Sequence, residues 1–195
     1  MRRVLYYLGI LDDTDVEWLV EHGTRKQVSA GSVLVQQDVP VQYLYIVLEG
    51  DMVVRNQPRN GEKSQDGAHI ADLGVGDVVG ELSLVDAHPP AASVIAQTNS
   101  WLLAVPHKAL VVRLAKDTAF AARFYRAIAF FLADRLRATV RRFGYGDAHQ
   151  YASEEEIPDS ALDDMSLAAV RFDKVLRKLR GEYDPDFRIM GTPHS

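Results

Sequence analysis

Between Gln27 and Val105 the apolar residues fall into short runs, each closed by a turn signal, and this punctuation limits the fold more than any other feature of the chain. The runs are Gln27–Ser29, Val33–Gln36, Leu44–Leu48, Asp51–Arg55, Ala68–Leu73, Val78–Val79, Ala92–Gln97 and Ser100–Val105. They are rich in Val, Ile, Leu and Tyr, which suit a pleated, half-buried surface. Their separators are Ala30-Gly31, Asp38 to Pro40, Glu49-Gly50, Asn56 to Gly67, Gly74 to Asp77 and Thr98-Asn99. Runs this short cannot carry the buried stripe of a helix, which needs about ten residues or more. Strands with turn signals every 8 to 12 residues or so predict a mainly β fold, a sandwich or jelly roll. The polar stretch Asn56 to Gly67 reads as the tip of a hairpin.

After Pro106 the pattern changes to helix, with no Gly or Pro from His107 to Phe143. His107 to Lys116 predicts one short helix and Thr118 to Phe143 a longer one. In the longer segment Phe120, Phe124, Ile128, Phe131, Leu132, Leu136, Val140 and Phe143 recur at three- and four-residue steps. Tyr125, Ala129 and Ala133 widen that apolar arc beyond what one stripe on a β domain requires. Part of the 118–143 helix is therefore expected to pack on a second copy, making a homodimer. Gly144-Tyr145-Gly146 supplies its stop. At the other end, a short helix capped by Asp13 or Thr14 presents Val16, Trp18, Leu19 and Val20. The organisation expected is 1–106, N-terminal helix and β domain; 107–143, two helices with a hinge; and 144–195, an acidic linker, one helix over Leu162 to Leu179 and a loose tail from Asp184.

Composition removes several classes of function. The 195 residues include no cysteine, which excludes thiolate catalysis, Cys-based zinc sites and iron–sulfur ligation. No stretch approaches the roughly 18 apolar residues of a membrane span, so a cytoplasmic protein is expected. Lys and Arg number 22 against 27 Asp and Glu, and the imbalance is uneven. Residues 1–106 carry 7 basic against 14 acidic residues, residues 107–143 carry 9 against 2, and residues 144–195 carry 6 against 11. The six histidines include no His-x-His pair, and no nucleophile elbow, P-loop or dinucleotide fingerprint occurs. No enzyme activity, metal or resident cofactor is expected. The tail offers one helix rather than the two of a helix-turn-helix, and Arg171, Lys174, Arg177, Lys178 and Arg180 sit beside Asp163, Asp164 and Asp173. They read as solvated helix charge, and DNA binding ranks last among the functions weighed.

The segment Ile70 to Val94, IADLGVGDVVGELSLVDAHPPAASV, carries chemistry. Gly80 permits close backbone approach, and Glu81-Leu82-Ser83-Leu84 opens a short helix whose free N–H groups and positive dipole end are expected to face an anion. This segment resembles the phosphate-binding cassette of cyclic nucleotide-binding domains, the β-roll of the catabolite activator protein and of cyclic-nucleotide-dependent kinase regulatory subunits. Gly31, Val33 to Gln36 and Leu44 to Gly50 resemble the strands before that cassette, and Trp101 to Val105 and the two helices resemble the last strand and the B and C helices. The resemblance spans about residues 5 to 143. It implies a standalone member with a β-roll flanked by an N-terminal helix and B/C helices, binding cyclic AMP or cyclic GMP through Gly80, Glu81, Leu82, Ser83, Ala91, Ala92 and Ser93. Glu81 would take the ribose 2′-hydroxyl. On the residues alone it equally caps backbone N–H groups at the helix start, and Ser93 equally serves as a half-buried strand residue.

The sequence departs from that pattern at one position. The arginine that neutralises the cyclic phosphate would stand nine residues after Glu81, and there this chain has Pro90. No Lys or Arg occurs between Lys63 and Lys108, and His88 is the one titratable cation in the cassette, neutral for the most part near pH 7. A charge-assisted hydrogen bond contributes about 1.5–3 kcal/mol, so cyclic nucleotide binding is expected to be weakened. Pro89-Pro90 is read as a rigid or cisoid turn that also removes two N–H donors. The reading is a non-enzymatic regulatory module whose ligand controls a hinge or an unidentified protein partner. The alternatives are a ligand-independent protein–protein interaction domain and, below it, a transcription regulator with an unrecognised DNA-binding tail.

Overall fold

A computed structural model of the chain describes residues 9–56, 67–142, 169–173 and 175–177. The expected hairpin tip, the Gly144-Tyr145-Gly146 stop, the acidic linker and the tail from Asp184 lie outside them. The elements run α1 (Asp13–His22), β1 (Thr24–Val28), β2 (Val33–Val35), β3 (Tyr43–Glu49), β4 (Met52–Asn56), β5 (Ala68–Leu73), β6 (Val78–Val79), α2 (Glu81–Asp86), β7 (Ser93–Ala96), β8 (Ser100–Pro106), α3 (His107–Lys116) and α4 (Thr118–Arg142). Each of the eight runs forms a strand. The strands pair antiparallel in two four-stranded sheets of order β1-β8-β3-β6 and β2-β7-β4-β5, a β-roll with helices.

The central strands of the first sheet are covered on both faces, and this explains why they read as almost unbroken apolar runs. On β3, Leu44 and Leu48 face the helices, while Tyr45 and Val47 face the second sheet. On β8, Leu103 and Val105 take the helical side, and Leu102 and Ala104 the inter-sheet side. The two-residue alternation of a strand thus separates two cores along one segment.

The helical core is closed by α1, α4 and the helical residues 169–173 and 175–177. Phe120, Phe124, Ala127, Ile128 and Phe131 of α4 are buried there with Leu11, Val16, Leu19 and Val20. The cap of α1 is Asp12, rather than Asp13 or Thr14. Its carboxylate accepts the Asp15 N–H at 2.8 Å, and the Asp15 carboxylate accepts the Asp12 N–H at 3.1 Å. This reciprocal cap places Asp15 on the buried face, where it is wholly removed from solvent. It is satisfied there by Arg113 of α3 at 3.0 Å and by Arg123 of α4, whose Nε approaches to 2.6 Å. One carboxylate of α1 therefore holds the two helices on either side of the α3–α4 junction.

Arg171 also departs from its reading as solvated charge. It is buried, donating from Nε to Asp13 at 2.6 Å and from Nη1 to the Leu11 carbonyl at 2.5 Å, while Phe172, Val175 and Leu176 join the helical core. A void of about 50 Å³ remains between this segment, α4 and β3, lined by apolar side chains such as Leu19, Phe124 and Val175. Among the described residues no helix is long and apolar enough to cross a membrane.

Candidate functional site

The cassette begins where β6 ends. Gly80 has φ +90°, and a Cβ there would collide with the Tyr43 carbonyl oxygen, so glycine is required twice over. The turn delivers Glu81 as the first residue of α2, a six-residue helix without a side-chain cap. Glu81 points inward and is 2% exposed, whereas Leu82 on the same helix is half exposed. Ser83 is partly exposed, and its hydroxyl donates to the His88 carbonyl at 2.8 Å. That bond ties the first turn of the helix to the following loop.

The loop is then fastened to the segment between β2 and β3. The Asp38 N–H donates to the Pro90 carbonyl at 2.9 Å, and the Gln37 N–H donates to Ser93 Oγ at 3.0 Å. Ser93 is buried, Ala92 is partly exposed and Ala91 is exposed. The described peptide bonds are all trans, so the cisoid option for Pro89-Pro90 falls away. The seven candidates thus divide: Glu81 and Ser93 are buried, Gly80, Ser83 and Ala92 are partly exposed, and Leu82 and Ala91 face outward.

Glu81 has a partner that no local pattern indicates. Arg135 of α4, 54 positions later, donates from Nη1 to Glu81 Oε1 at 2.7 Å and from Nη2 to the Val78 carbonyl at 3.2 Å. Its guanidinium lies 4.3 Å from the centre of the Phe131 ring. Burial pushes the Glu81 carboxyl above the usual carboxylate range, and nearby Asp77 adds to that push. Arg135 and the backbone N–H groups at Gly80 and Glu81 pull the other way without cancelling it. The carboxylate thus takes backbone donors at the helix start, as the capping reading expects. Arg135 belongs to the basic set Arg135, Arg137, Arg141 and Arg142, for which the sequence allows interaction with the helix dipole, pairing with the acidic β domain, or pairing with the acidic tail, including Glu154 to Glu156, of the same or another subunit. The ion pair realises the second of these for Arg135.

His107 adjoins the same corner. It starts α3 directly after β8, its N–H donates to the Gln42 carbonyl at 2.9 Å, and its Nε2 is buried with no hydrogen-bond partner among the described residues. Burial lowers its pKa, against the pull of backbone groups of Gly80, Val41 and Tyr43. Position 107 follows Pro106 at a helix start, and nothing in that local pattern signals contact with Gly80.

Comparison with known proteins agrees with the fold. Residues 25–117 match the family model described as "Cyclic nucleotide-binding domain". A cAMP-dependent protein kinase regulatory subunit of Blastocladiella emersonii is 30% identical over 118 residues, covering 60% of this chain and 28% of that subunit. The chain thus spans little more than a quarter of that relative's length. A cyclic nucleotide-binding domain of Methylobacillus flagellatus superposes with a TM-score of 0.64 at 21% identity, covering 75% of this chain and 85% of that one. The N-terminal domain of a transcriptional regulator of Streptomyces coelicolor gives 0.52 at 29% identity, covering 70% and 90%.

Proposed function

We propose, from the premise that residues 25–117 form a cyclic nucleotide-binding domain, that this chain is a non-enzymatic regulatory module in which occupation of the cassette shifts α3 and α4. The observation that carries the reading is Glu81, a carboxylate held inside the roll at the start of α2 and bonded directly to α4. A ligand that engages Glu81 bears on a helix that extends beyond the β-roll, and it changes that helix only as far as it prefers one arrangement over the other. The ligand class is a cyclic mononucleotide, cyclic AMP or cyclic GMP, with Gly80, Glu81, Leu82, Ser83, Ala91, Ala92 and Ser93 as its cassette. The output is an altered dimer or protein contact in the cytoplasm.

Pro90 sets the expected affinity. Without a guanidinium at that position the phosphate loses a charge-assisted bond of about 1.5–3 kcal/mol, or about 10- to 150-fold in Kd. Calorimetric titration with cyclic AMP and cyclic GMP to millimolar concentration should give weak binding, tightened by that factor in Pro90→Arg. No heat and no thermal shift from either nucleotide, in wild type and variant alike, would sink the reading. A ligand-independent interaction domain would then take its place. That second reading draws on Pro90, on Ser93 Oγ accepting from Gln37 and on the engagement of Glu81 by Arg135.

A further inference from the structure

We infer that Arg135 is an intramolecular occupant of the ligand site, a latch through which α4 holds the cassette closed and which a ligand at Glu81 must displace. The inference rests on the function proposed above and names how that site is regulated. Its first support is access. Glu81 is 2% exposed, and Arg135 Nη1 lies 2.7 Å from Oε1, so Arg135 already holds an oxygen of the carboxylate that a ribose hydroxyl would engage. The second is placement. The guanidinium is gripped by Glu81, the Val78 carbonyl and the face of Phe131, which defines a built position for an arginine whose side chain keeps 27% exposure.

The third support is where the latch falls along α4. Among the described residues the fully buried positions of α4 end at Phe131, and Leu136 and Val140 beyond it are exposed. The first half of the helix is fixed by its apolar core and by Arg123 on Asp15. The second half is tied to the β-roll by Arg135. Removing the Arg135 contacts would therefore loosen the helix end while leaving the hinge-proximal half anchored. Because coupling is reciprocal, whatever weakens the latch also favours the ligand, by about 5- to 150-fold in ordinary cases of site-to-site coupling. The sequence offers no guanidinium at position 90, and α4 supplies one to the ribose-side carboxylate instead.

The test uses the full chain without ligand and the variants Arg135→Met and Arg135→Lys. Hydrogen exchange of residues 132–139 should be about 10-fold faster in Arg135→Met, with 118–128 unchanged as the check that the variant is folded. Arg135→Lys should fall between. In the same samples, cyclic AMP or cyclic GMP should bind about 10-fold tighter to Arg135→Met than to wild type, a gain that a merely structural arginine would not produce. Unchanged exchange at 132–139 overturns the latch, whatever the nucleotides do. Faster exchange with weaker nucleotide binding also overturns it, because Arg135 would then be a ligand contact rather than a competitor. Faster exchange with nucleotide binding unchanged, or with no nucleotide bound to any form, overturns it as well, because a merely structural arginine gives the same exchange.

Discussion

Glu81 and Pro90 are nine residues apart, yet they differ in how much of their role is local. Proline lacks a charge and an N–H wherever it stands, so the deficit at position 90 is complete in the sequence. A glutamate's role depends on what surrounds it, and here burial, Arg135 and the Gly80 turn decide it together. His107 shows the same dependence. Its depressed pKa means that the folded state prefers the neutral ring. The stability it contributes is present above the unfolded value near 6.5 and is lost as pH falls through the lower folded value. Urea midpoints should therefore drop between pH 7 and the acid side of His107's folded pKa. His107→Gln should flatten that part of the profile, and an identical slope in the variant would remove His107 as its source.

At the scale of elements, the strands were legible and the clamps were not. Val33–Val35, Ala68–Leu73 and Val78–Val79 sit within or on their expected bounds, because a strand's alternation and its closing turn are short-range properties. β1 begins at Thr24, three residues earlier than expected. Thr24, Arg25 and Lys26 are exposed and carry no apolar signal, but they pair with Ala104, Leu103 and Leu102 of β8. The Asp15 clamp spans 98 residues to Arg113 and 108 to Arg123. Removing a partner from a buried charged network costs about 3–5 kcal/mol. Asp15→Ala should lower the urea-unfolding free energy by about that much. A loss comparable to an ordinary surface substitution, within about 0.5 kcal/mol, would contradict the clamp.

For the whole molecule, the expected sharing of α4 between its own core and a second copy can now be assigned to particular residues. Phe120, Phe124, Ile128 and Phe131 are buried within the chain, so a charge at Phe124 would unfold the core rather than report on association. Phe130, Leu136 and Val140 are exposed, and they carry the dimer proposal. Light scattering of the wild type should give twice the 21.7 kDa chain mass, reduced to one chain by Leu136→Glu with Val140→Glu. A monomeric wild type at micromolar concentration would refute the dimer. The charge division by block also changes meaning at this scale. The basic 107–143 segment places Arg113 and Arg123 on α1 and Arg135 on the cassette, so part of its excess is internal pairing rather than a surface field.

By itself, the sequence determined the strand-and-turn order, the helical run after Pro106, the glycine at the cassette turn and the absence of a cation at Pro90. Each follows from a few neighbouring residues: period-two alternation, helical spacing, φ freedom and the presence or absence of a side-chain charge. The tertiary structure alone decided that Glu81 meets Arg135, that Asp15 draws in Arg113 and Arg123, and that Arg171 is buried on α1. Those partners lie far apart in the chain. A charged side chain carries no mark of its counter-ion until packing removes both from water and makes the pairing necessary.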